Sequence, residues 1–485
     1  PPFSAWSPIG WALGMLLAKL GITWSWLYVT LWWVHALIAL SFIAAIPFTK
    51  AMHILTGPSS MAGGREDSVR SLVADPELGY AHITDLRPEH RLELDACTKC
   101  GACHDVCPAR ATGLPLSPRD VVLDLREAQS LHSTEQLAPG VVTPASMWSC
   151  MQCAACVQVC PVGVEQAPMI NLLRRNLVDQ GELPESLQTL LETVYTSGNS
   201  FGENKRARAK WAKSLDEPIP DARKQPVDVL WFVGDFASLD PRNQRNTKAL
   251  AALLRRAGID VGILYDAEKN AGNDVRRIGE EGLFRSLAEE NIATINGCEF
   301  NRILTSDPHS FNTLRNEYPE LGAEWTSDQV VHHSVFLLEL LKSGALEVTN
   351  PVVKTATYHD PCTLGRYNGI FDEPREVMEM CGVEIVEMPR NRENSFCCGA
   401  GGGRIWINDR LPVGQPRPSE LRIEEAVALN GVETFIVACP KDVSMYEDAI
   451  KTSGHADDIS LLELSEIVAL ATNTEIEQEK ELEKG

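Results

Sequence analysis

At 485 residues the chain is long enough for two or three domains with ample buried core. Its formal net charge of −22 at pH 7 argues against nucleic acid as a partner, because a phosphate backbone calls for a basic face. Most of the 14 cysteines fall in tight groups rather than in the scatter of a disulfide framework, which points to metal ligands in a reducing compartment.

The chain opens at Pro1 on apolar, tryptophan-rich sequence, so the expectation is a truncated or processed chain rather than a signal peptide. Ser7 to Leu20 form an apolar stretch interrupted by Lys19, either the end of a membrane helix or an interfacial one. From Leu27 to Phe48 there is no Asp, Glu, Lys or Arg. At about 1.5 Å per residue this run spans about 33 Å, enough to cross a bilayer core. Trp24, Trp26 and Tyr28 suit an aromatic belt at one end, and Lys50 and Arg65 flank the other, which predicts that the following domains face the cytoplasm. Residues 1–55 are therefore read as a transmembrane segment. Residues 56–91, mixed and broken by Gly and Pro, read as a linker, and 92–225 hold eight clustered cysteines. Beyond Pro226, apolar strand-like runs (Val227–Val233, Ile259–Leu264, Arg302–Thr305, Lys354–Tyr358, Thr434–Ala438) alternate with helical stretches. This predicts an α/β region over 226–345 and 346–470. Residues 471–485 form an acidic tail.

The run Cys97-Thr-Lys-Cys100-Gly-Ala-Cys103-His-Asp-Val-Cys107-Pro108 is C-x2-C-x2-C-x3-C-P. It recurs as Cys150-Met-Gln-Cys153-Ala-Ala-Cys156-Val-Gln-Val-Cys160-Pro161. Three close thiolates wrap one cubane, and the fourth of each run points to the other cluster. One [4Fe-4S] cluster is then expected on Cys97, Cys100, Cys103 and Cys160, and a second on Cys150, Cys153, Cys156 and Cys107. Zinc closes at four ligands and has no need of the exchanged cysteine.

A further constellation comprises His359-Asp-Pro-Cys362, Phe396-Cys397-Cys398-Gly399 and Cys439-Pro440-Lys441-Asp442. The run Gly399-Ala-Gly-Gly-Gly403 lets backbone pass close to a cluster; as a phosphate cradle it lacks the Lys-Ser/Thr of a P-loop. Residues 226–345 read as an earlier copy of this module. Val233-Gly-Asp235 aligns with the approach to Cys362, Asn270-Ala271-Gly272 with Cys397-Cys398-Gly399, and Asp307-Pro308-His309-Ser310 with the Cys439-Pro440 element. Its ligand positions hold Asp, Asn, Ala or Ser, so the copy is expected to keep the fold without a cluster, for packing or docking. Cys298 and Cys381 read as buried small hydrophobes.

These motifs resemble the heterodisulfide reductase-related iron–sulfur oxidoreductases, with paired ferredoxin-type clusters followed by two cysteine-rich "CCG" modules. The resemblance implies a third cluster on Cys362, Cys397, Cys398 and Cys439. It places a fifth cysteine where this chain has Asp442, which leaves the type of that cluster open. The membrane segment is similar to the last helix of the haem b-binding gamma subunit of nitrate reductases, and the whole resembles bacterial electron-transfer flavoprotein–quinone oxidoreductases. His35 and His53 lie about five helical turns, roughly 27 Å, apart if they share one helix. The resemblance implies that each is an axial ligand to a haem b, with the opposite ligands on an earlier helix. The expected fold is thus multi-domain: transmembrane helices, an α-helical two-cluster ferredoxin-type domain and tandem α/β CCG modules. The expected activity is an inner-membrane oxidoreductase linking a soluble electron-transfer flavoprotein to quinone. A disulfide or heterodisulfide reductase and a non-catalytic wiring subunit are the alternatives.

Overall fold

Aromatic and branched apolar side chains surround the helix Ser25–Ala45 on every side. Trp26, Leu31, Trp32, Leu37, Ile38 and Phe42 are all more than half exposed, a surface that only lipid or other apolar helices would cover. The stretch Trp26–Phe48, 23 residues, is long and apolar enough to cross a membrane. A computed structural model describes this segment and the rest of residues 7–21, 25–63, 68–72, 75, 77, 79–407 and 414–476. Ser7 to Leu20 gives a separate helix, Pro8–Lys19. Trp24 and Arg65 lie outside the described residues, as do the side chain of Lys50 and the tail beyond 476.

One expectation changes here. Pro47 sits in a 3-10 turn, Ile46–Phe48, and Thr49 is extended (φ −125°, ψ 176°), its hydroxyl accepting from Ala51 N. A new helix, His53–Ala62, follows. His35 and His53 therefore occupy different helices, and the five-turn shared face does not exist. The proline, with no N–H and a fixed φ, breaks the register between them. Nor is 56–91 a free linker. Thr56 Oγ1 donates to Asp95 O (3.2 Å), and Gly57 packs on Val162 beside Cys160. Tyr80 is fully buried, its hydroxyl paired with His90 Nδ1 (2.6 Å) and its N–H donating to Leu172 O.

The cysteine-bearing domain is built from short helices, several opened by proline at the first helical position, where no N–H is needed. In Pro118–Ser130, Ser117 Oγ caps Asp120 N, and Val121, Val122, Leu125 and Ala128 form the buried stripe. The C-terminal region holds two parallel sheets. The first contains β1 (Val229–Trp231), β2 (Val261–Ile263), β3 (Arg302–Thr305) and β4 (Val330–His332), in the order β2-β1-β3-β4. The second contains β5 (Thr355–Tyr358), β6 (Glu384–Ile385), β7 (Thr434–Val437) and β8 (Ser460–Glu463), in the order β6-β5-β7-β8. The two orders are the same, which makes the internal repeat explicit. Strand order reverses beside β1 and beside β5, the crevice where parallel α/β sheets place ligands at the carboxyl ends of the strands.

A buried ion cluster ties the cysteine-bearing domain to the first sheet. Arg175 pairs with Glu281 (2.9 Å), Arg276 with Glu281 (3.1 Å) and Glu317 (3.3 Å), and Arg277 with Glu317 (3.0 Å). Burial pushes the Glu317 carboxyl up, but Arg277 and Arg276 outweigh it and hold it below its ordinary 4.5. The substitution Glu317→Gln leaves three buried guanidinium groups to share one carboxylate and is expected to cost about 3–5 kcal/mol, read as a lower urea midpoint. A depressed folded pKa stabilises above the unfolded value and loses that stabilisation as pH falls. The gap between the two proteins should therefore narrow below pH 4.5.

Candidate metal centres

Both cysteine runs use the same local backbone. Lys99 and Gln152 (φ 60° and 51°) occupy the left-handed region one residue before the second cysteine, and Gly101 and Ala154 (φ 89° and 61°) do so one residue after it. For Ala154 that conformation costs on the order of 1–2 kcal/mol, a strain kept to curl three thiols around one point. Backbone N–H groups turn to sulfur: Gln152 N donates to Cys150 Sγ (3.4 Å) and Val164 N to Cys160 Sγ (3.2 Å). Cys97, Cys100, Cys103 and Cys160 line one small cavity, and the charge neighbours of Cys103 are Cys160, Cys97 and Cys100. Those of Cys107 are Cys153 and Cys150, and those of Cys156 are Cys150, Cys153, Cys107 and then Cys103. The chain thus gathers the thiols in two groups, with the fourth cysteine of each run exchanged. Burial pushes Cys103 and Cys107 up to about 12, a state in which free thiols hold their protons.

The third group lies at the carboxyl ends of the second sheet. Cys362 follows β5, Cys397 and Cys398 follow β6, and Cys439 follows β7. The Cys397 thiol faces those of both Cys362 and Cys398, and that proximity pushes its pKa up. Asp442 lies against Cys398 and Cys439. Among the described residues its Oδ2 has no hydrogen-bond partner, with His359 Nε2 3.7 Å away, although the residue is only 2% exposed. Desolvation raises its carboxyl to about 7. A ring nitrogen of His359, Cys398 Sγ and an Asp442 oxygen lie within 4.8 Å of one another.

The second and third groups meet. The Cys153 and Cys397 thiols face each other, and that approach above all holds Cys153 down to about 6. The glycine run makes the approach possible: a Cβ on Gly401 would fall 2.6 Å from Met151 O, and one on Gly402 3.2 Å from Cys150 O. The run thus serves contact with the Cys150–Gln152 loop. Arg366 Nε donates to Cys153 O (2.7 Å) and Nη1 to Ser395 O (2.7 Å), while the buried Nη2 has no hydrogen-bond partner among the described residues. Tyr367 Oη donates to Gln152 O. Arg174 is fully buried and donates to Met147 O (2.8 Å), Arg277 O (2.8 Å) and Gly402 O (3.2 Å), one carbonyl from each domain. The charge neighbours of Arg366 and Arg174 are thiols, a tyrosine and, for Arg174, another arginine; no carboxylate is among them.

In the first module the corresponding space is filled. Arg208, arriving from the segment before β1, pairs with Asp235 and with Glu268 (2.9 Å). Asp235 also accepts from Ser200 N (2.7 Å) and Asn270 Nδ2 (2.5 Å). Arg174, Arg208 and Arg366 were not singled out in the sequence. Arg174 lies inside the buried helix Gln166–Asp179 and Arg366 four residues after Cys362, and the basic stretch around Arg208 carries no signal of its own. Cys381 is fully buried, and the partly buried Cys298, packed against the core, donates to Thr294 O.

Residues 93–164 match the 4Fe-4S dicluster domain, and residues 229–315 and 356–441 match the cysteine-rich domain twice over. The chain belongs to the family of iron–sulfur oxidoreductases that join a 4Fe-4S dicluster domain to two CCG modules. It is 33% identical to FadF of Bacillus subtilis, an iron–sulfur-binding oxidoreductase by name, over 96% of this chain and 73% of that one. It is 30% identical to the EtfAB:quinone oxidoreductase of Syntrophomonas wolfei, over 95% and 71%. To a Chromohalobacter salexigens protein, by name a membrane-anchored ferredoxin, it is 35% identical over 84% of this chain and 64% of the relative.

The substitution Gly401→Ala drives a methyl into Met151 O and should part the second module from the Cys150 loop. Amide hydrogen exchange over 147–153 and 399–403 is expected to rise, with the first module unchanged.

Proposed function

We propose that this membrane-anchored oxidoreductase passes electrons between a soluble electron-transfer flavoprotein and the quinone pool. The reading assigns [4Fe-4S] clusters to Cys97, Cys100, Cys103 and Cys160 and to Cys150, Cys153, Cys156 and Cys107, and a third iron–sulfur centre to Cys362, Cys397, Cys398 and Cys439. What carries it is the order in space. The helix that opens at His53 packs beside Cys160, the first group adjoins the second through Cys103 and Cys156, and the second touches the third through Cys153 and Cys397. Buried cations support metal at these sites. Among the described residues Arg174 and Arg366 have no carboxylate partner, and a thiolate-bound cluster brings the negative charge that compensates them. At the third centre the orphaned Asp442 oxygen fits a ligand that replaces the family's fifth cysteine. That replacement also weighs against heterodisulfide reduction.

His35, exposed along the apolar helix, and His53, at the head of the next, are proposed as haem b ligands, and the cluster-bearing domains as cytoplasmic. A surface cavity of about 990 Å³, lined by Trp148, Ser149, Phe201, Arg404 and Trp406, offers the flavoprotein a place to approach the Cys150 loop. The relative named EtfAB:quinone oxidoreductase supports the choice of donor and acceptor.

The test uses anaerobically purified, detergent-solubilised chain. Reduced electron-transfer flavoprotein should generate the low-temperature EPR signals of reduced clusters, and a quinone should abolish them. Clusters that remain oxidised under reduced flavoprotein would reject the assignment. Arg366 yields a second expectation. Its charge favours the more negative, reduced state of the clusters it faces, so Arg366→Met should lower the potential of the Cys150-group cluster. A tenfold change in the oxidised-to-reduced ratio, about 59 mV, is the expected scale. Arg366→Lys should recover part of it, and the Cys97-group cluster serves as the unshifted control.

A further inference from the structure

The first module has no thiol at its ligand positions, yet one of its turns reaches the third centre. Asp307-Pro308-His309, after β3, is the repeat counterpart of Cys439-Pro440-Lys441, after β7, and the two turns meet across the seam between the modules. A ring nitrogen of His309, a carboxylate oxygen of Asp307 and Cys439 Sγ all lie within 4.8 Å of one another. Lys441 Nζ crosses the same seam to Asp274 (2.7 Å), so the approach is held from both sides.

The neighbours of His309 set which nitrogen is free to bind. Asn273 Nδ2 donates to His309 O (3.2 Å) and to Thr313 Oγ1 (3.1 Å), which turns Asn273 Oδ1 toward the imidazole. His309 Nδ1 lies 3.1 Å from that oxygen and must carry the proton. Nε2 is then left with its lone pair, and among the described residues it has no hydrogen-bond partner. Metal-bound imidazoles are oriented in this way, one nitrogen donating to an oxygen and the other on the metal. Asp307 is engaged as a helix cap, accepting from His309 N (3.0 Å), Ser310 N (3.1 Å) and Ser310 Oγ (2.7 Å). It steadies the turn, while His309 offers the ligand. A core histidine satisfied by Asn273 alone would account for Nδ1, but not for the convergence with a thiol from the other module.

We propose that His309 of the cluster-free module is a ligand to the third centre, bringing Nε2 to the iron held by Cys439. This rests on the reading of the second module as iron-bearing. It gives the first module a metal-binding role and adds a nitrogen to the ligands of the third centre.

The test is pulsed EPR on the third centre's signal in the full chain, grown with ordinary and with 15N-labelled histidine. A strong nitrogen coupling that changes with the label is expected. Its loss in His309→Leu, with acid-labile sulfide unchanged, would complete the assignment. A third-centre signal without histidine coupling in the unsubstituted, labelled chain would overturn it, and this arm needs no variant to fold. Acid-labile sulfide of only about eight per chain, the content of two [4Fe-4S] clusters, would instead remove the third centre itself, and the ligand with it.

Discussion

Arg174 holds three domains by one guanidinium group. Its donors end on backbone carbonyls of Met147 in the cysteine-bearing domain, Arg277 in the first module and Gly402 in the second. Burial pulls its pKa down to about 10, since a full charge is lodged out of water. The group that most favours its charge is the Cys150 thiol, itself pushed up by burial. A cation in such a position is costly unless an anion shares the site. The fold and the metal are thereby coupled: the contacts that assemble the domains are those that a negative cluster on the Cys150 group would stabilise most.

The close approach of Cys153 to Cys397 follows from that assembly. Alternating βα units bring Cys362, Cys397, Cys398 and Cys439 to the carboxyl edge of one sheet, but a sheet edge alone does not reach another domain. The glycine run does so by omitting Cβ atoms, Arg366 by binding Cys153 O, and Tyr367 by binding Gln152 O. In the first module the same topology carries the opposite electrostatics. Where the second module surrounds thiols with arginine, the first surrounds Arg208 with Asp235 and Glu268. The ion triad fills the site with satisfied side chains and leaves the sheet intact.

At its N-terminal end the chain passes from exposed apolar surface to packed protein over a few residues. The apolar helix ends at the Pro47 turn, and the next helix is already fastened to the cysteine-bearing domain through Thr56 and Gly57. Cys100 is exposed, while all four thiols of the second group are buried. The first group thus sits nearer the surface and the helix His53–Ala62, and the second lies deep among the three domains.

The sequence by itself determined the chemistry that depends on local spacing. Two C-x2-C-x2-C-x3-C-P runs specify which thiols can curl together, because the left-handed turns that curl them lie within seven residues. The apolar run from Leu27 to Phe48 specifies a membrane-length helix, and the alternation of apolar runs after Pro226 specifies repeated βα units. Strands β4, β6 and β8 escaped notice because they are short or partly polar and are stabilised by neighbours in the sheet. The tertiary structure was needed to show that residues 56–91 pack and that Cys153 faces Cys397, whereas the break between His35 and His53 follows locally from Pro47. The tertiary structure also decided where Arg174, Arg208, Arg366 and His309 act. Each of those depends on groups tens to hundreds of residues apart, and a buried arginine or histidine carries no mark in the sequence of the partner that the fold will supply.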